Sequence, residues 1–322
     1  MFKKIAAFAL VAALGVMTLT GCGGDAAKEG TETQTETTES TDGGSTDANA
    51  DADAADSADT TDTAAAGGEK VRVIDVDLSS EQYAFGVDKD QPELLQQTND
   101  FIDEIMGNGE FDKICNNYFG DGKPQAVTSA ARDDSKDQLV VATNAAFEPF
   151  EYTKGDKYLG IDMEIADALA KKLGKELVIE NMDFDAVCLS VGQHKCDIAM
   201  AGLTIKESRK KYVEFSSSYY NASQRIIVKA DDTTFDSAKD ADSVHKILAG
   251  FDSATKIGVQ NGTTGKLYCE GDEEAGFEKL PVTTVGYKNG SLAVMDLING
   301  NLDYVVIDAA PAKCITDAMN AQ

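Results

Sequence analysis

Short runs of aliphatic and β-branched residues alternate along this chain with apolar positions at helical spacing. Leu139-Val140-Val141-Ala142 reads as a strand, and Ile161, Ile165 and Leu169 repeat every four residues as one face of a helix. The alternation continues through a strand at Leu177-Val178-Ile179, a helix near Ala186 to Leu189, and a strand at Lys256-Ile257-Gly258-Val259. A helix from Gly265, a strand over Val282 to Val285, a helix through Leu292 and Met295 ending near Gly300, and a strand at Tyr304-Val305-Val306-Ile307 follow. This order predicts an α/β fold with helices packed on mostly parallel sheets. In such sheets ligands sit beyond the carboxyl ends of strands, so the polar stretches that follow each strand are the candidates for chemistry.

One of those stretches organises the rest. Asp197 to Lys211 begins as a short apolar run, passes through Gly202, and reaches Thr204 with Glu207 three residues on, the spacing of a capping box. A strand, a turn and a helix start would leave backbone N–H groups free for an anion, with Arg209 one turn later to clamp a carboxylate. The alternative is an ordinary strand-to-helix connection with a surface arginine.

Composition changes the picture at the N-terminus. Lys3 and Lys4 precede an uncharged run from Ile5 to Leu19, too short to span a bilayer, and Leu19-Thr20-Gly21-Cys22 follows; residues 1–21 are expected to be a signal peptide. From Gly23 to Gly68 there is no Val, Ile, Leu, Met, Phe or Tyr, and twelve acids face one lysine. Such a segment cannot bury enough apolar surface to offset its ordering entropy, so 22–69 is expected to be a disordered acidic tether spanning roughly 35 to 40 Å or more. The tether carries 11 of the 27 net negative charges. A formal charge of −27 argues against a nucleic-acid partner.

Other signals carry little. Gly258 to Lys266 lacks the glycine and lysine spacing of a phosphate loop, and Leu267 stands where Ser or Thr would be needed. His194 and His245 are isolated and lack metal-ligand spacing, so no metal and no cofactor are expected. Besides Cys22, the five cysteines Cys115, Cys188, Cys196, Cys269 and Cys314 cannot all pair internally; Cys188–Cys196 and Cys269–Cys314 are the candidate disulfides, against the expectation of buried free thiols.

Several motifs together resemble a known family. Ala142 to Tyr152, Gly160 to Ile165, Met182 to Ala186, Ala201 to Thr204 with Arg209, Phe215-Ser216, Tyr219-Tyr220, Gly258 to Gly265 and Val306 to Ala309 are similar, in order and spacing, to the polar-amino-acid type of solute-binding protein that serves ABC importers. The resemblance covers nearly all of Asp137 to Thr316 and implies a two-lobed, periplasmic-binding-protein-like (type II) fold with a hinge. Leu-Thr-Gly-Cys resembles a bacterial lipobox, which implies a lipid on Cys22, an extracytoplasmic location and anchoring to the cell membrane. In the family the last helix seen here is followed by a further strand, a return to the first lobe and a helical hairpin. Those parts resemble Val71 to Gly120 instead, which implies a circular permutation, with a fused remnant of a duplicated domain as the rival. Lobe one is then expected over 83–222 and lobe two over 223–322 with 71–82, crossing near Gln82 and Ala222.

The resemblance also assigns roles residue by residue. Arg209 matches the clamp for a ligand carboxylate, assisted by Thr204 and, from the other lobe, by Thr263 and Thr264. Asp308 matches the acceptor of the ligand ammonium, with the Gly202 carbonyl beside it. Phe147 and Phe184 match a lid and a wall around the ligand side chain, core packing being the competing reading for both. Gln260 matches a polar contact of lobe two. Asn144 stands where members taking basic or amide side chains often have aspartate; without a carboxylate there a cationic side chain is disfavoured, and a polar or neutral amino acid is favoured. The expected function is capture of a free amino acid by a monomer and delivery to an ABC permease. The alternatives are a receptor for signalling and an enzyme like cyclohexadienyl dehydratase, for which Glu151 is the nearby acid.

Overall fold

A computed structural model describes residues 68–322. The expected signal peptide, Cys22 and all of the tether before Gly68 lie outside the described residues.

Three short strands open the described chain: β1 (Val71–Val73), β2 (Glu81–Tyr83) and β3 (Gly86–Asp88). Helix α1 (Pro92–Asn108) starts on a proline, whose missing N–H costs nothing at that position, and buries Leu94, Thr98, Phe101, Ile102 and Ile105 along one face. Gly109, at φ 80°, ends it and turns the chain into α2 (Glu110–Phe119). A linker leads to β4 (Gln138–Thr143), β5 (Ala146–Phe147), β6 (Glu151–Lys154), β7 (Lys157–Leu159), α3 (Ile161–Leu173), β8 (Glu176–Asn181), α4 (Phe184–Gly192) and β9 (Ile198–Ala199). Helix α5 (Glu207–Lys210), β10 (Val213–Phe215), β11 (Tyr220–Ala222) and β12 (Gln224–Lys229) follow. The chain finishes with α6 (Ala241–Leu248), β13 (Lys256–Gln260), α7 (Thr264–Glu270), β14 (Thr283–Tyr287), α8 (Gly290–Ile298), β15 (Tyr304–Asp308) and α9 (Ala309–Asn320).

The strands form two five-stranded sheets, in the orders β10-β3-β9-β4-β8 and β1-β12-β15-β13-β14. Each is the centre of one lobe. Both are mixed, but in each four strands share one direction and a single strand, β3 in the first and β12 in the second, runs against them, in keeping with the expectation of mostly parallel sheets. In the first, β4 runs parallel to β8 and β9, while β3 is antiparallel to β9 and β10. In the second, β13 runs parallel to β14 and β15, while β12 is antiparallel to β1 and β15. The parallel pairs are all between strands linked through helical crossovers. The antiparallel pairs arise where the chain enters or leaves a sheet directly from the connection between lobes, with no helix to reverse it. That connection is itself paired: β2 and β11 run antiparallel, with Tyr220 opposite Tyr83 and Ala222 opposite Glu81.

The N-terminal segment contributes to both sheets. β1 lies at the edge of the second sheet, Val71 opposite Lys229, and β3 is inserted between β10 and β9 of the first. Buried Ile226, Val228, Ile257, Val259 and Val306 of the second sheet pack with Phe235, Val244 and Leu248. Full burial of such side chains stabilises by about 1.5–3 kcal/mol each before entropy is subtracted. In the first lobe Glu164 of α3 accepts hydrogen bonds from Tyr118 Oη (2.6 Å), Asn117 Nδ2 (2.9 Å) and the Gln125 amide (2.8 Å), which ties α2 and the linker to α3.

The capping-box reading of Thr204 does not hold. α5 is a single turn with Lys206 at its N-cap position and no side-chain cap. The Thr204 hydroxyl donates instead to Glu81 Oε2 at 2.7 Å. A buried carboxylate is a stronger acceptor for that hydroxyl than a one-turn helix could offer in exchange.

Candidate functional site

The polar stretches that follow the strands converge where the lobes meet. Phe147 comes from β5, Phe184 from the start of α4, Gly202 and Thr204 from the loop after β9, and Arg209 from α5. Gln260, Thr263 and Thr264 come from the β13–α7 junction, and Asp308 from the end of β15. All nine line one cavity. Asn144, the tenth residue expected there, stands next to it, its Oδ1 accepting from Gln260 Nε2 at 3.0 Å and its Nδ2 donating to the Met182 carbonyl at 2.6 Å.

Arg209 is held in place before any ligand arrives. One guanidinium nitrogen donates to the Thr204 carbonyl at 2.7 Å and another to the Gly262 carbonyl of the opposite lobe at 3.1 Å. The group also lies over the Phe184 ring, 5.1 Å from its centroid. Asp308 is 5% exposed and accepts a hydrogen bond from the Tyr83 hydroxyl of β2. Burial, reinforced by the charge of Glu81, pushes its carboxyl up to about 7 against the pull of the Tyr83 hydrogen bond.

A shell of buried acids supports these groups. Glu81 accepts from Thr204 Oγ1 at 2.7 Å, Gln224 Nε2 at 2.9 Å and Ser79 Oγ at 2.7 Å, so one carboxylate joins both lobes and the connection between them. Asp162 accepts from the Gly202 amide at 2.9 Å and from Tyr219 Oη at 2.6 Å, and burial pushes it up to about 7 as well. It fixes the backbone at Gly202, whose φ of 53° disfavours a side chain and where an added Cβ would sit 3.0 Å from Phe147 Cε1. Glu81, Tyr83 and Asp162 escape sequence reasoning because their partners lie up to 225 residues away. The available signal was the position of Asp162, two residues after a glycine at the start of a helix.

Further contacts cross the cleft. Thr264 Oγ1 lies 3.3 Å from Thr204 Oγ1, the Glu207 amide donates to Glu274 Oε1 at 2.7 Å, and Lys206 Nζ lies 3.7 Å from Asp272 Oδ2. The cavity is correspondingly small, about 10 Å³, near the least that holds one water molecule. Anything larger enters only if the lobes part. Arranged as they are, a half-buried guanidinium and a buried carboxyl in one cavity complement a ligand carrying both an anionic and a cationic group.

His194, isolated in the sequence, is not isolated in space: its Nδ1 lies 2.7 Å from Asp88 Oδ2 and its Nε2 lies 3.6 Å from Asp90 Oδ2. Hydrogen bonding to Asp88 holds the imidazole above its ordinary value. Cys115, Cys188, Cys196, Cys269 and Cys314 are free thiols, so neither candidate disulfide forms.

Comparison with known proteins places these observations. The profile of the bacterial extracellular solute-binding proteins, family 3, matches residues 139–305. An arginine-binding extracellular protein of Bacillus subtilis is 38% identical over 104 residues, covering 32% of this chain and 41% of the relative. An arginine-binding periplasmic protein of Mannheimia haemolytica is 31% identical over 184 residues, covering 56% and 65%. The chain thus spans less than two thirds of the length of either. The crystal structure of an ancestral arginine-binding protein bound to arginine superimposes with a TM-score of 0.48 at 34% identity, over 57% of this chain and 75% of that one.

Proposed function

The chain belongs to the bacterial extracellular solute-binding proteins, family 3, and on that premise we propose that it captures a free amino acid between its lobes and delivers it to an ABC permease. The observation that carries this reading is the shared cavity of Arg209 and Asp308. A zwitterion cannot be buried with either pole unpaired except at a cost of several kcal/mol. Arg209 would take the carboxylate, with Thr204, Thr263 and Thr264; Asp308 would take the ammonium, with the Gly202 carbonyl. Phe147 and Phe184 would enclose the side chain, with Asn144 and Gln260 beside it. Charge-assisted hydrogen bonds of about 1.5–3 kcal/mol each, several at either pole, suffice for micromolar affinity near −8 kcal/mol after ordering costs.

Closure needs both lobes to hold one molecule, so ligand shifts an open-to-closed equilibrium about the β2–β11 connection, and the closed form is what a permease would recognise. No catalytic step is assigned: Glu151, the acid that an enzyme on this fold would need, is 0% exposed and does not line the cavity. The relatives' names, extracellular and periplasmic, support a location outside the cytoplasm. A lipid on Cys22 would tether the monomer to the membrane; mass spectrometry of membrane-extracted protein finding an unmodified Cys22 would remove the anchor.

We also read the chain as a circular permutation. Support comes from β1 and β3, which precede the matched region 139–305 yet fill places in both sheets. A stably folded product of residues 137–322 alone would contradict it. The test of function is a thermal-shift screen of the twenty amino acids and cystine against the full chain, repeated with Arg209→Ala. Stabilisation by one or a few amino acids, lost in the variant, is expected; no response to any of them would overturn the reading.

A further inference from the structure

Glu81 does not line the ligand cavity, yet it decides how two residues that do line it can meet a ligand. It stands at the start of β2, in the connection between the lobes, and is 7% exposed. Its Oε1 accepts from Ser79 Oγ at 2.7 Å and from Gln224 Nε2 at 2.9 Å, and its Oε2 accepts from Thr204 Oγ1 at 2.7 Å. Gln224, opposite Asp308 in the β12–β15 pair, braces the carboxylate from the second sheet. Thr204 reaches it from the loop that follows β9 of the first.

A threonine hydroxyl has one hydrogen, and a carboxylate can only accept. The short bond to Glu81 therefore commits the Thr204 hydrogen away from the cavity. Thr264 Oγ1 lies 3.3 Å from Thr204 Oγ1, and in that contact Thr264 has to be the donor. The hydrogens run one way, from Thr264 to Thr204 to Glu81. The two links are unequal: 2.7 Å is a full charge-assisted bond, whereas 3.3 Å is longer than an O–H···O bond normally is. When a ligand enters, Thr204 keeps its hydrogen on Glu81 and shows the cavity its lone pairs. Thr264 is free to turn its hydrogen to a better acceptor.

Resting on the amino-acid reading above, we propose that Glu81 is a positioning residue that divides these two hydroxyls between the poles of the ligand. The Thr204 hydroxyl goes to the ammonium, with Asp308 and the Gly202 carbonyl. The Thr264 hydroxyl goes to the carboxylate, with Arg209. Thr204 is left only its backbone amide for the anionic pole.

Calorimetry on the full chain tests this with the tightest-binding amino acid and two analogues, its α-amide and its des-amino acid, in which hydrogen replaces the ammonium. Glu81→Gln keeps the size of the side chain. An amide there holds an oxygen for Ser79 and Gln224 only by turning its N–H towards Thr204, which frees the Thr204 hydrogen. Affinity for the amino acid and the α-amide, which both carry the ammonium, should fall about tenfold or more, while affinity for the des-amino acid stays within about threefold. Thr204→Val should give the same selective loss and Thr204→Ser should restore wild-type affinities. Adding Glu81→Gln to Thr204→Val should cost no more than about twofold beyond Thr204→Val alone. Thr264→Val should show the opposite selectivity, with the α-amide spared. A Glu81→Gln variant that loses affinity for all three ligands alike, as a merely loosened structure would, overturns the inference while leaving amino-acid binding in place. So does a Thr204→Val variant that spares the two ligands carrying the ammonium. Should Glu81→Gln fail to fold, the threonine variants alone decide whether the hydroxyls are divided in this way. A wild type that binds no amino acid overturns both the inference and the reading beneath it.

Discussion

Replacing Asp308 by asparagine should make the protein more stable and weaken its grip on the ligand. The carboxyl sits 5% exposed with a folded value of about 7, against 3.8 for the free group. At neutral pH and above, folding must then strip a favourable environment from an ionised acid. The difference of about 3 units, at 1.36 kcal/mol per unit, corresponds to about 4 kcal/mol of stability forgone by the wild type above pH 7. Below pH 4 the group is protonated both folded and unfolded, and nothing is forgone. Between those limits the unfolded chain binds fewer protons than the folded one, so this group's contribution to stability falls as pH rises. An asparagine side chain at this position would keep an oxygen to accept the Tyr83 hydroxyl and carry no charge to desolvate. For a domain of this size a gain of about 4 kcal/mol raises the melting temperature by roughly 10 °C. The assay is thermal unfolding of wild type and Asp308→Asn at pH 4 and pH 8, with calorimetry against the best amino acid at pH 8. The expected result is a large stabilisation at pH 8, little at pH 4, and affinity reduced on the order of 100-fold. A stability difference that is the same at both pH values, or a variant less stable at pH 8, would refute the reasoning.

Arg209→Ala removes the guanidinium that already spans to Gly262 and should weaken ligand binding by about 2–5 kcal/mol by calorimetry, leaving a buried ligand carboxylate unpaired. Gly202→Ala places a Cβ 3.0 Å from Phe147 at a φ of 53°; denaturant unfolding should register a loss of about 1–2 kcal/mol, and ligand affinity should drop as the Asp162–Gly202 contact shifts. Because all five described cysteines are free and three of them are buried, reducing agent should leave the melting temperature unchanged, and thiol titration should gain the three buried groups on unfolding.

Much of the fold was legible because apolar runs and helical periods report which face of an element is buried. The strand read at Leu139 to Ala142 is the centre of β4, and Ile161, Ile165 and Leu169 are buried on α3. Strand direction was not legible, since period-2 burial looks alike in parallel and antiparallel pairs; only the chain path through β2 and β11 decides that β3 and β12 run against their neighbours. Thr204 misled because three-residue spacing to Glu207 is necessary for a capping box but says nothing about a competing acceptor, here Glu81, 123 residues away. Thr204 and Arg209 came from a motif after a strand, and the other residues named for the site from the family resemblance. The acids beneath the site, Glu81 and Asp162, were not named, because burial and distant partners are properties of the packed molecule. The ends joined by the expected permutation, and the pairing of β1 with β12, likewise depend on contacts that no local pattern encodes.

The central claim is that one ligand is gripped at both poles. Calorimetric titration of the tightest-binding amino acid beside its α-amide and its N-acetyl derivative removes the anionic and the cationic pole in turn. Each derivative should bind on the order of 100-fold more weakly than the parent, with Arg209→Ala no longer distinguishing the amide from the free acid. If either derivative binds as tightly as the parent, Arg209 and Asp308 do not hold a zwitterion between them.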